Sequence, residues 1–158
     1  MRRLWSGVVI VFALAWAAPS AHAAVPPDYG FKWATVGDPG NRLPNSEEIS
    51  NGSRPVGAVS YAFRIAKTET TAVQWLEFVK AYAPYLGSVA DGFAFRGSDV
   101  GITANGEYFV NPQQANVPTQ VGWRYAARFC NWLHNGKVND RWAFESGAYD
   151  TSTFTTNR

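Results

Sequence analysis

The chain has 158 residues, 14 basic and 12 acidic side chains, and a formal charge of +2 that Arg2 and Arg3 supply in full. No cluster of Lys or Arg occurs, which excludes the concentrated positive charge that nucleic acid and anionic membranes demand. One cysteine and two histidines exclude an internal disulfide and a metal site built on several His or Cys ligands within one copy of the chain.

Arg2 and Arg3 precede an apolar run from Val8 to Ala18, which Pro19 and Ser20 break. Ala21-His22-Ala23 then offers the small residues that a signal peptidase requires. A membrane-spanning helix needs about 20 apolar residues, and this run is about half as long. The spacing therefore predicts a cleaved secretory signal over 1–23, not an anchor. The mature chain, 24–158, is balanced in charge and keeps His134 as its only histidine and Cys130 as its only cysteine. It is expected in the periplasm or outside the cell, free of the membrane after cleavage. In such an oxidising compartment a lone thiol is buried, or pairs with a partner outside this chain.

The mature length suits one domain. Trp33, Trp75, Trp123, Trp132 and Trp142, with many Tyr and Phe, provide too much apolar surface for a disordered tail. Frequent Gly and Pro with few helices point to a loop-rich α+β domain. Phe31 to Val36 reads as a strand stopped by Gly37-Asp38-Pro39-Gly40-Asn41. Arg42 to Pro55 reads as a surface loop. Its Asn51-Gly52-Ser53 is a formal glycosylation sequon, although nothing else marks a eukaryotic secretory protein.

Val59 to Ile65 is the clearest strand, with Val59, Tyr61, Phe63 and Ile65 on one apolar face. Thr71 and Gln74 have capping-box spacing. Trp75, Phe78, Val79 and Tyr82 then follow as one buried helical stripe, and Pro84 ends the helix near Ala83. Ile102–Ala104 and Tyr108–Val110 flank Asn105-Gly106-Glu107 as a hairpin, because Asn and Gly both tolerate positive φ. A second helix begins near Trp123, with Ala126, Phe129, Cys130 and Leu133 as its buried stripe. Trp132 lies off that stripe, facing a second layer, and Gly136 suits a left-handed C-cap.

Cys130 and His134 are neighbours on this helix surface and formally allow a Cys-His pair. A core-facing cysteine with a solvated histidine at the helix end is the simpler reading. Trp75 and Trp123 sit on or at the start of apolar stripes and read as core. Trp142 and Phe144 fall in a Gly- and Asp-flanked loop, where they are the candidate partner surface. No set of residues assembles for acid–base, nucleophilic or metal-ion catalysis.

Four segments follow in order: Val36-Gly37-Asp38-Pro39-Gly40-Asn41; Gly57 to Ile65; Lys67 to Phe78; and Val121-Gly122-Trp123 with Ala126 to Gly136. Their order and spacing, over about Lys32 to Tyr149, resemble the N-terminal half of the formylglycine-generating-enzyme, or sulfatase-modifying-factor, domain. The similarity is to secreted bacterial members that open with V-G-D-P-G-N. Two departures stand out. Glu69-Thr70-Thr71-Ala72 replaces the family's E-V-T-N, and Gly122 replaces the serine that usually introduces the second helix.

The resemblance implies an irregular C-type-lectin-like α+β fold, incomplete here, with two helices and short antiparallel strands. The family's L-P-S/T-E-x-E-W, G-N-V-x-E-W, R-G-G-S-W and G-F-R segments do not occur before Arg158. By the resemblance, the metal-binding and oxidising cysteines belong to that absent part, and Cys130 matches the family's structural helix cysteine. No catalytic, cofactor or metal residue is therefore assigned, and copper or iron is expected only in a full-length form. The expectation is an exported family member, truncated before the catalytic half and inactive alone. The alternative is a secreted, non-enzymatic C-type-lectin-like module that binds a protein or carbohydrate partner, or serves a structural role.

Overall fold

Thr71 starts the first long helix as the capping-box spacing requires. Its Oγ1 accepts from the Gln74 amide at 3.4 Å, and Gln74 Oε1 accepts from the Thr71 amide at 3.0 Å. Two further amides of the first turn are met by a passing loop segment. Ala72 N donates to Val117 O at 2.9 Å, and Val73 N to Ala115 O at 3.0 Å. A helix start leaves such donors without partners, so the 115–119 segment fixes this end of the helix in place.

A computed structural model describes residues 27–49, 58–86 and 92–154. The predicted signal at 1–23 and the sequon at Asn51 lie outside the described residues. In chain order the elements are β1 (Trp33–Val36), β2 (Phe63–Ala66), α1 (Ala72–Tyr82), α2 (Phe93–Arg96), β3 (Val100–Ile102), β4 (Tyr108–Val110), α3 (Trp123–His134) and α4 (Arg141–Glu145). Strands β1 and β2 pair antiparallel with Val36 opposite Phe63, and β3 and β4 with Ile102 opposite Tyr108. The described chain is thus α+β, with short strand pairs beside the helices.

The core lies between α1 and α3 and is mostly aromatic. The stripe Trp75, Phe78, Val79 and Tyr82 is fully buried, as the periodicity predicts. Phe78 is central, with the rings of Trp75 at 4.7 Å, Phe129 at 5.6 Å, Phe144 at 6.0 Å and Trp132 at 6.1 Å. Trp75 Nε1 donates to Phe95 O at 2.9 Å, which ties the short helix α2 onto α1. Tilted and edge-on pairs of this kind add about 0.5–1.5 kcal/mol each beyond their buried area.

Helix α3 departs from the expected stripe. Phe129 and Leu133 are buried, but so are Tyr125, Arg128, Asn131 and Trp132, whereas Ala126 and Cys130 are only half-buried. The helix is covered on two sides. Tyr125, Phe129 and Trp132 meet α1 and α2, while Asn131 meets the chain after α4. Trp132 is therefore core, stacked on Phe144 with ring centroids 6.2 Å apart. Trp123, expected in the core, is 62% exposed at the helix start and touches only the edge of that surface through Phe154, at 5.0 Å.

Of the strand expected over 59–65 only the end is strand, β2 beginning at Phe63, and its apolar face points outward. Tyr61, Phe63 and Ile65 are exposed, and Arg64 and Ala66 turn inward. The inner side is taken by Trp33, which packs on Phe31 at 5.2 Å and lies under the Arg64 guanidinium at 5.0 Å. In the β3–β4 hairpin only Gly106 has positive φ, +84°, and Asn105 does not. Gly106 N donates to Thr103 O at 2.9 Å, so the turn centres on Ala104-Asn105 and Gly106 closes it.

Candidate binding surface

Trp142 and Phe144, expected together in a loop, belong to α4 and point in opposite directions. Asp140 caps this short helix by accepting from the Trp142 amide at 3.5 Å. Residues two apart on a helix face different sides. Phe144 is wholly buried, against Tyr82 at 4.9 Å and Tyr85 at 5.5 Å, whereas Trp142 is 52% exposed. Phe144 is thus a core residue and leaves the candidate surface; Trp142 stays on it.

Asn131 of α3 and Asn135, which caps its C-terminus, hold α4 and its following turn. Asn135 Nδ2 donates to Ala143 O at 3.0 Å and Ser146 O at 2.7 Å. Asn131 Nδ2 donates to Phe144 O at 3.1 Å. On the other side, Arg141 Nη2 donates to Tyr85 O at 3.0 Å, and Tyr85 Oη donates to Asn139 O at 2.6 Å. The Trp142 ring is presented by a helix held at both ends, even though that helix is too short to be stable alone.

Cys130 and His134 do not form a reactive pair. His134 is exposed, and burial alone pushes the Cys130 thiol above the ordinary cysteine range. A reactive cysteine needs the opposite shift, produced by a nearby cation or base. Tyr149 is pushed up chiefly by the Cys130 charge, then by burial and by Tyr61. No group of three or more His, Cys, Asp or Glu residues among those described is arranged to hold a metal ion.

The V-G-D-P-G-N segment has a structural task. Gly40, at φ +84°, donates its N–H to Val59 O at 2.9 Å, and Asn41 Oδ1 accepts from Val59 N at 3.1 Å. The turn after β1 is thereby fastened to the chain entering β2. Asp38 serves the same turn, with its carbonyl accepting from Asn41 N at 3.0 Å. Sequence reasoning missed α2, whose four residues are too few to show a period, and with it the buried Phe95.

Comparison with family models, with curated proteins and with solved structures returned no match to this chain. Among the described residues no helix is long and apolar enough to cross a membrane.

Proposed function

We propose that the chain is an exported sulfatase-modifying-factor-type protein that carries the N-terminal part of that domain and acts only once a further segment or partner completes it. The observation that carries this reading is the outward apolar face of β1 and β2. Val36, Phe63 and Ile65 lie on one side of the pair, all exposed, with the Tyr61 ring 6.4 Å from Phe63. A contiguous apolar patch on a short open sheet is a surface to be covered by another element. The tasks of the motif residues support the same reading. Asn41, Thr71, Trp75 and Asn131 tie turns and helices together, and chemistry is left to residues outside this set. In a complete form, copper or iron would draw its ligands from elsewhere.

The test uses the mature chain, 24–158. It is expected to bind a hydrophobic dye and to self-associate. Both properties should fall in a Phe63→Ser, Ile65→Ser variant. Copper-dependent oxidation of a cysteine peptide by 24–158 alone is expected to be absent. A dye-silent monomer with a sharp, reversible thermal transition would overturn the reading.

The exposed ring of Trp142 favours a second reading, a secreted non-enzymatic C-type-lectin-like module. An aromatic face on a rigid element suits a sugar or peptide contact. Binding that is lost in Trp142→Ala, with the fold intact, would select it.

A further inference from the structure

Arg128 lies midway along α3 and is only 6% exposed. A guanidinium stays charged in proteins, and a buried charge is costly unless an opposite charge or full hydrogen bonding compensates it. Among the described residues it has neither. None of the ion pairs includes it. Its Nε is buried with no acceptor, and its Nη1 reaches only the Arg124 carbonyl, one turn back, at the outer limit of 3.5 Å. Aromatic faces enclose the rest, with Phe154 at 5.3 Å, Tyr125 at 5.7 Å and Tyr82 at 5.8 Å. The acid that also acts on Tyr82, Glu145, is paired with Arg141 at 3.6 Å.

The neighbourhood adds charge of the same sign. Arg124 precedes Arg128 by one turn, and its guanidinium lies 5.7 Å from the same Phe154 ring. Like charges at this spacing repel. The helix end itself is the positive pole of α3, Gly122 gives it no side-chain cap, and its first turn holds no acid. A buried cation without an acid partner and an uncapped helix start therefore converge on one place, next to the exposed Trp123.

We propose that Arg128 is the receptor for a carboxylate, which reaches the guanidinium beside the Phe154 ring and pairs with it over the first turns of α3. A carboxylate matches the planar fork two bonds to two, and its single charge balances the one buried guanidinium. Trp123 and Phe154 offer the carbon skeleton behind that group an apolar wall. The carboxylate belongs either to a free organic acid or to an Asp or Glu side chain of a docking polypeptide. The assignment stands apart from domain completion, because a free acid needs no missing segment.

The test is the melting temperature of the mature chain against two probes, each titrated at constant ionic strength in chloride. One is acetate. The other is a blocked glutamyl peptide, with its glutaminyl counterpart as control. The expected result is a saturable rise with at least one carboxylate, none with the glutaminyl peptide, and none in Arg128→Met. A rise with acetate assigns a free acid; a rise with the glutamyl peptide alone assigns a polypeptide side chain. Should Arg128→Met not fold, Arg128→Lys keeps the charge without the fork, and its apparent affinity is expected to be about tenfold weaker. No response to either probe, or an equal response in the Arg128 variants, would overturn the assignment.

Discussion

The side-chain amide of Asn131 pairs with the backbone of Tyr149 as one strand pairs with another. Its Oδ1 accepts from Tyr149 N at 2.7 Å, and its Nδ2 donates to Tyr149 O at 2.9 Å. The same Nδ2 also holds Phe144 O, and the residue is fully buried. One side chain thus fastens both α4 and the turn after it to α3. Asn131→Ala leaves three backbone groups short of a partner, and each such loss costs about 1–3 kcal/mol. The expected loss is about 3–5 kcal/mol in urea unfolding, the lower part of that sum, because Tyr149 is half open to water that replaces some of the pairing. Asn131→Asp should lose a similar amount, because a carboxylate cannot donate to either carbonyl. Wild-type stability in either variant would show that the clamp contributes nothing.

Trp142 and Phe144 separate a surface role from a core role on one short helix. Phe144→Ala opens a hole beneath the rings of Tyr82, Tyr85 and Trp132. Large-to-small changes of this kind cost about 3–5 kcal/mol. Trp142→Ala removes an exposed ring and should stay within about 0.5 kcal/mol of wild type. Paired thermal melts decide the matter, and a large loss in Trp142→Ala would mean that its ring supports the fold.

Gly122 tests what the uncapped start of α3 gains from glycine. Serine there would ordinarily improve the cap by roughly a few tenths of a kcal/mol. Here a Cβ would stand 3.0 Å from Ala94 Cβ and 3.1 Å from Ala94 O, and Gly122 N already donates to that carbonyl at 2.8 Å. Close approach to α2 outweighs the cap, so Gly122→Ser is expected to lower the melting temperature. A rise would mean that α2 yields easily.

Legibility in the sequence followed the length of the periodic signal. Helix α1 spans three turns, with its cap and stripe on local residues, and it was readable in full. The period of α3 was equally clear, but its burial was not. Asn131 and Arg128 are polar, and what covers them comes from the 144–154 segment, which has no pattern of its own. Alternation over 59–65 began four residues before β2 and could not say which face is inside. Trp33 decides that from another strand. Helices α2 and α4 are too short for any period, so Phe95 was missed and Phe144 was misplaced.

Alkaline pH should weaken the fold before acid does at these groups. Burial raises the Cys130 thiol, and it raises Tyr82 and Tyr125 more than the opposing Arg128 charge lowers them. Tyr149 is raised chiefly by Cys130. A raised folded value means that the native state keeps a proton which the unfolded chain releases. The stability these groups contribute is complete below their unfolded values, about 8.5 for cysteine and 10 for tyrosine, and falls as pH rises beyond them. The melting temperature is therefore expected to decline above pH of about 8.5, and Cys130→Ala should delay the first part of that decline. Thiol labelling of the native chain should likewise be slow at neutral pH and speed up only in alkali. Fast labelling at neutral pH, with the chain still folded, would place the thiol in a different environment from the one described.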